Sequence, residues 1–233
     1  MTSEPETSDP KTSDPETSDP VTSASETANA GQPNQHYFSE EPEVESARKR
    51  IEVTLPDGSF EMETDTGVFS HGRVDAGTKF LLLEAPELPT SGDLLDLGCG
   101  AGVIALTMAQ RRPDCRVWAV DVNARARRLT SDNAMALGLR NVIVAAPDEI
   151  PTDVSFAAMW SNPPIKVGKN ELHDMMRRWM PRLTRDGGAI LVVNKNLGSD
   201  SLQKWLTDNG HPTKRLASRQ GFRLLRVAVS IRN

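Results

Sequence analysis

The sequence predicts an α/β fold: a mostly parallel seven-stranded sheet with helices on both faces, finished by an antiparallel hairpin. Three observations carry that prediction. From position 93 onward, short apolar runs alternate with longer amphipathic stretches, the pattern of strand–helix–strand crossovers. A glycine-rich segment joins the first apolar run to the first amphipathic stretch, as in doubly wound sheets. The last two apolar runs have only Gln220-Gly221 between them, too little for a crossover, so they pair antiparallel.

Taken in order, the parallel strands are 93–97, 116–120, 141–146, 156–161 and 188–194. Helices are expected near 101–112, 123–138, 170–184 and 199–209. The helix at 170–184 has the clearest stripe: Leu172, Met175, Met176, Trp179, Met180 and Leu183 share one face, which reads as core packing. About ten residues separate the third strand from the fourth, so the helix expected there is very short or absent. The closing strands are 212–219 and 222–231. Ahead of the sheet, residues 50–64 read as a β-hairpin. Ile51, Val53 and Leu55 alternate with polar residues, Pro56-Asp57-Gly58-Ser59 makes the turn, and Phe60 and Met62 resume the alternation. A short helix is expected at about 77–85.

The first 35 residues are of another kind. Positions 2–26 repeat a five-residue Thr-Ser-Asp-Pro-type unit, and prolines at that interval exclude helix. With almost no large apolar side chain to bury, residues 1–35 are expected to form a disordered acidic tail, leaving 36–233 as the folded domain. Residues 1–45 hold eleven acidic side chains and one basic. From position 122 to the end, 18 basic side chains stand against 9 acidic. The overall charge of −5 therefore hides a basic body, which suits a polyanion such as RNA as well as it suits a scattered solvated surface.

Two cysteines, Cys99 and Cys115, exclude a disulfide scaffold, and the four histidines lack metal-ligand spacing, so no metal is expected. No apolar run reaches membrane-spanning length and no signal peptide is recognisable. A cytoplasmic location is the resulting expectation.

The segment Asp96-Leu97-Gly98-Cys99-Gly100-Ala101-Gly102 lets the backbone turn sharply and approach a ligand beside a helix N-terminus. Asp121 ends the next strand 23 residues after Gly98, where a carboxylate can accept ribose hydroxyls. A nicotinamide dinucleotide site wants a third glycine at position 103, which is Val103. The observed G-x-G-x-G spacing, with an acid ahead of it, instead resembles the cofactor loop of class I methyltransferases, which bind S-adenosylmethionine. Asp96, Gly98, Cys99, Gly100 and Asp121 are the candidate cofactor residues; a nicotinamide oxidoreductase is the competing reading. Asp148, after the third strand, is a further candidate to meet the adenine amine.

At the carboxyl end of the fourth strand stands Asn162-Pro163-Pro164-Ile165. A conjugated amine is planar and a poor nucleophile, so its N–H bonds must be held by acceptors that aim the nitrogen lone pair at the methyl group. Asn162 offers a side-chain carbonyl and Pro163 a backbone carbonyl, while Pro163 and Pro164 stiffen the loop and remove competing N–H groups. No strong base is needed, and catalysis rests on positioning and electrostatics.

Phe69-Ser70, Asp75-Ala76-Gly77-Thr78, the glycine loop, Asp121-Val122-Asn123 and Asn162-Pro163-Pro164-Ile165-Lys166-Val167-Gly168-Lys169 together resemble the small-domain methyltransferase family. That family includes bacterial ribosomal RNA guanine-N2 methyltransferases. The resemblance spans residues 37–232; Lys195 and Gly198 are similar to single-domain members. It implies a seven-stranded class I (Rossmann-like) methyltransferase fold, S-adenosylmethionine as donor, Asn162 beside the target amine, and ribosomal RNA or a ribosomal subunit as partner. Ile165, Lys166 and Lys169 are then candidate substrate contacts, the lysines for phosphates.

Two features depart from the family. The best-known ribosomal members carry two tandem domains and this chain has one. Where many amine-methylating enzymes have an aromatic residue after the prolines, this chain has Ile165. A methyltransferase acting on another nucleobase, a protein glutamine amide or a small molecule is the alternative function, and a non-catalytic RNA-binding module a third.

Overall fold

The computed structural model describes residues 44–164 and 168–229. The expected tail, Ile165, Lys166 and the last residues of the final expected strand lie outside them. The described residues belong to one compact unit, 33–233.

A hairpin of β1 (Lys49–Leu55) and β2 (Gly58–Thr64) comes first. Its inward side chains Val53, Leu55, Phe60 and Met62 are buried, as the period-2 pattern requires. The hairpin is fastened to the body at both ends. Asp57 in its turn takes two hydrogen bonds from the Arg111 guanidinium. Near its open end, the buried Asn133 amide accepts from the Glu63 N–H and donates to the carbonyls of Glu63 and Ala101.

The elements of the body are α1 (Ala76–Glu84), β3 (Asp93–Leu97), α2 (Val103–Arg111), β4 (Val117–Val120), α3 (Ala124–Ala136), β5 (Val142–Ala145), β6 (Phe156–Ser161), α4 (Lys169–Trp179), β7 (Leu183–Asn194), α5 (Ser199–Asp208), β8 (Thr213–Arg219) and β9 (Phe222–Ala228). Among the described residues, seven strands form one sheet in the order β5-β4-β3-β6-β7-β9-β8. Strands β3 to β7 run parallel, and β9 is antiparallel to both β7 and β8. This is the expected seven-stranded, mostly parallel sheet with an antiparallel end.

Strand residues alternate between two cores, which is why the strands read as continuous apolar runs rather than alternating ones. Leu94, Val117, Ala119 and Trp160 face the hairpin, α1, α2 and α3. Leu95, Trp118, Val120 and Met159 face α4 and α5.

Two boundaries differ from expectation. The helix expected at 170–184 ends at Trp179, runs through a 3-10 turn at Met180–Arg182, and gives Leu183 to a strand. Pro181 has no N–H to continue the helix. Strand β7 accordingly starts at Leu183, five residues before the expected 188, and pairs with β6 across an irregularity at Phe156/Ala158. Between β5 and β6 there is only a 3-10 turn, Pro147–Glu149.

Candidate active site

The strand order reverses direction between β3 and β6, and a doubly wound sheet opens its ligand crevice at such a point, beyond the carboxyl ends of the strands. A cavity of about 840 Å³ lies there. That volume suits a cofactor together with part of a substrate.

One side of the cavity is the loop from β3 to α2. The N–H groups of Gly98 and Cys99 both donate to the Val120 carbonyl, so the loop folds back over the end of β4. Gly98, Gly100 and Gly102 have φ of 76°, 56° and 92°, the left-handed region that disfavours side chains. A Cβ on Gly98 would meet nothing within 4 Å, whereas one on Gly102 would lie 2.7 Å from Thr130 Cγ2. Gly98 therefore leaves space open, and Gly102 permits the closure of α2 on α3.

Asp121 follows β4 and is half-buried in the cavity wall. Its two carboxylate oxygens accept from the N–H groups of Gly100 and Asn123, each at 2.9 Å. Each oxygen retains a lone pair for a hydroxyl donor. Burial pushes its pKa above the ordinary carboxylate range, against those two hydrogen bonds.

Asp96 stands elsewhere than expected. It is fully buried beneath the loop and does not line the cavity. One oxygen accepts from the Ala105 N–H at 2.9 Å, supplying the helix cap that Gly102, lacking a side chain, cannot. The other oxygen has no partner among the described residues. Burial, aided by the charge of Asp121, pushes its pKa up to about 8. Cys99 is also turned from the main cavity. Its buried thiol, pushed up in pKa by burial, lies 3.6 Å from the Thr130 hydroxyl and borders a small adjoining recess.

Asp148 is not brought to the cavity either. Its side chain is 90% exposed and pairs with Arg178 at 2.7 Å. The physical reason is the 3-10 turn that replaces a helix after β5 and points Asp148 outward, leaving Pro147 and Arg178 to line the cavity.

Asn162 is in the cavity wall with Pro163 and Pro164, at the end of β6. Its Nδ2 donates to Asp75 Oδ2 at 2.9 Å and to the Thr78 hydroxyl at 3.0 Å. With the amide nitrogen held by a carboxylate, the carbonyl Oδ1 is left as the outward acceptor; no described residue donates to it. The same Asp75 oxygen caps α1 by accepting from the Thr78 N–H. Lys169 is exposed as the first residue of α4 and does not line the cavity. Ile165 and Lys166 lie outside the described residues.

The remaining wall was not anticipated. Residues 65–75 pass over the cavity and contribute Val68, Phe69, Ser70, His71 and Arg73. Asn123 holds this segment by donating to the Gly67 carbonyl, and Arg125 by donating to that of Thr66. Exposed apolar side chains concentrate here: Phe69, Val122 and Leu197 are each about 45% exposed and line the same cavity. Asn194, at the end of β7, and its register partner Phe222, at the start of β9, complete the far side.

These features fit a nucleoside cofactor: a glycine cradle with open space at Gly98, and a carboxylate beyond β4 with spare acceptor capacity. The sheet order and the cradle define a class I methyltransferase. Comparison with known proteins agrees. A model of the methyltransferase small domain matches residues 59–226. The uncharacterized protein YbxB of Bacillus subtilis (strain 168) is 30% identical over 83% of this chain and 98% of its own length. The ribosomal RNA small subunit methyltransferase C of Pseudomonas putida (strain GB-1) is 36% identical over 66% of this chain. Only 47% of that relative is covered, so the chain spans about half the length of such relatives. Among solved structures, the T. thermophilus 16S rRNA N2 methyltransferase RsmC, in complex with AdoMet and guanosine, superposes with a TM-score of 0.67. It is 21% identical, covering 81% of this chain and 52% of that one. A precorrin-6y methyltransferase from Geobacter metallireducens GS-15 superposes at 0.56 with 16% identity, covering 72% of this chain and 94% of that one. The fold is thus shared by proteins with unrelated substrates.

The chain belongs to the methyltransferase small-domain family.

Proposed function

We propose that this methyltransferase acts on an exocyclic amine of RNA, the N2 amine of a guanine in ribosomal RNA. The observation that carries the reading is the fixed orientation of Asn162. Asp75 and Thr78 hold its amide nitrogen, so its carbonyl faces the cavity as an acceptor, with the backbone of Pro163 beside it. Similarity to ribosomal RNA small subunit methyltransferases C supports ribosomal RNA as the substrate class.

S-adenosylmethionine, when bound, supplies a methyl group activated on a sulfonium. Asp121 and the glycine loop would hold it, and the chain's own groups do the rest. Asn162 Oδ1 and the Pro163 carbonyl accept the two N–H bonds of the target amine, which fixes the plane of the amine and aims its lone pair. Pro163 and Pro164 have no N–H to compete for those acceptors. Asp75 acts through Asn162: a partly buried carboxylate beside Nδ2 makes the flipped amide unfavourable, since it would set oxygen against oxygen. Lys166 and Lys169, which follow the motif in sequence, are the proposed phosphate contacts.

The test is transfer of label from S-adenosylmethionine to unmodified ribosomal RNA, free or assembled in subunits. Asn162→Ala is expected to lower turnover by about 10²-fold or more with cofactor affinity nearly unchanged, as for loss of one preorganised polar group. Asp75→Ala should lower turnover too, and the double variant should be no worse than Asn162→Ala, because the two act as one unit. Wild-type rates in Asn162→Ala would overturn the mechanism. Label on protein instead of RNA would overturn the substrate.

A further inference from the structure

We propose that Phe222 is the aromatic platform on which the target base lies while Asn162 holds its amine. This rests on the amine-methylating reading above and adds the residue that positions the ring. The motif itself supplies no aromatic face, since Ile165 stands where one is common.

The juxtaposition is fixed at Gly77. A Cβ there would lie 2.8 Å from Phe222 Cε1, 3.0 Å from its Cδ1 and 2.9 Å from Asp75 Oδ2. The Phe222 ring and the Asp75 carboxylate thus flank one point, and that carboxylate oxygen is the one that binds Asn162. Glycine is a poor choice for the first turn of a helix, and Gly77 is not among the positive-φ glycines. The close approach of the Phe222 ring accounts for its presence. The platform is anchored on its own side as well. Gln220 and Gly221 both take left-handed conformations to turn β8 into β9, and the Gly221 carbonyl accepts from the Lys195 N–H at 2.7 Å.

Two other large aromatic side chains, Trp179 and Phe69, line the cavity. Trp179 is buried in the second core, tilted against Phe156, with the guanidinium groups of Arg178 and Arg182 over its ring. Phe69 lies over the cofactor loop, its Cβ 3.7 Å from the position a Cβ on Gly100 would take. Phe222 is partly buried, lines the cavity, and adjoins the amine-binding end. Stacking on such a ring is tolerant of base identity, so Phe222 holds the base and leaves the choice of atom to Asn162.

The test compares Phe222→Leu, which keeps apolar packing on Gly77 but removes the π face, with Phe222→Tyr, which restores it. Phe222→Leu is expected to lower kcat/KM for unmodified ribosomal RNA by about tenfold or more. Cofactor affinity and Tm should stay near wild type, and Phe222→Tyr should recover activity to within about threefold. A readout independent of turnover is the proton spectrum of guanosine added to full-length protein loaded with S-adenosylhomocysteine. Ring-current shifts of the base protons should be present in the wild type and in Phe222→Tyr and lost in Phe222→Leu. Wild-type activity and shifts in Phe222→Leu would overturn the proposal, as would equal damage by both variants with a lowered Tm. If Asn162→Ala is inactive while Phe222→Leu is normal, only this inference fails; if Asn162→Ala is normal, the reading beneath it fails.

Discussion

Asp96 shows how a residue picked out by its motif can hold a structural position that the motif does not state. As an acid ahead of a glycine loop it reads as a ligand contact, yet the fold uses it as a cap for α2 and buries it. Its pKa of about 8 has a consequence for stability. Unfolded, this acid titrates near 3.8. Between those values the native state holds a proton that the unfolded state has released, so this group makes stability fall as pH rises from about 4 to 8. Asn is nearly isosteric with the protonated acid and does not titrate. Asp96→Asn should therefore remove part of the alkaline loss: Tm of wild type and variant should lie closest together at about pH 4 and separate progressively toward pH 8, the variant higher. Parallel Tm profiles by calorimetry would show that Asp96 is ionised in the native state throughout. Asn162 is the opposite case. It lines the cavity, as its place in the motif leads one to expect, but the partners that orient it are 87 and 84 positions away, and no local pattern announces such a contact. Those partners also alter the expectation for Asn162→Asp, which would set a second carboxylate oxygen against Asp75 Oδ2 where Nδ2 now donates, and so would not keep the outward acceptor in place.

Among the elements, the buried strands were legible because both faces of the sheet are covered and each strand is an unbroken apolar run. The first half of β7 was not, since Thr184-Arg185-Asp186-Gly187-Gly188 has no apolar periodicity and spans the irregularity between the Leu183–Phe156 and Gly188–Ala158 pairs. Residues 65–75 were missed for a similar reason: they are anchored by Asn123 and Arg125, not by any pattern of their own. The loop between β3 and α2 was legible as a glycine motif, but its glycines serve different ends. At Gly102 an added methyl would meet the Thr130 side chain, whose hydroxyl donates to the Gly100 carbonyl, in a conformation that already disfavours a side chain. Gly102→Ala should therefore cost about 2–4 kcal/mol of stability, combining backbone strain with overpacking. At Gly98 the same methyl enters open space. Gly98→Ala should cost only about 1–2 kcal/mol, the left-handed strain alone, while obstructing the cofactor. Urea melts and calorimetric titration with S-adenosylhomocysteine separate the two effects. Equal destabilisation by both substitutions would mean that Thr130 yields to the methyl group.

Over the whole molecule, the charge is divided along the chain: an acidic first 45 residues and a basic remainder that includes nearly all of the described body. The repeat has nothing to bury, because its proline interval and its lack of large apolar side chains leave no surface to set against the entropy of ordering it. Removing residues 1–35 should therefore leave Tm within about 1 °C of the full chain, since contributions to the core come from elsewhere. The effect on RNA should be electrostatic. Phosphate contacts release counterions, so affinity falls steeply with salt, and a negative segment on the same chain competes with phosphate for the same basic side chains. Affinity of the shortened protein for ribosomal RNA should equal or exceed that of the full chain at low salt, and the two should converge as salt is raised toward 1 M. Filter binding across a salt series, run beside thermal melts, measures both quantities on the same preparations. A drop of many degrees in Tm would show that the segment packs on the body. A loss of RNA affinity would show that it helps to bind RNA instead of competing with it.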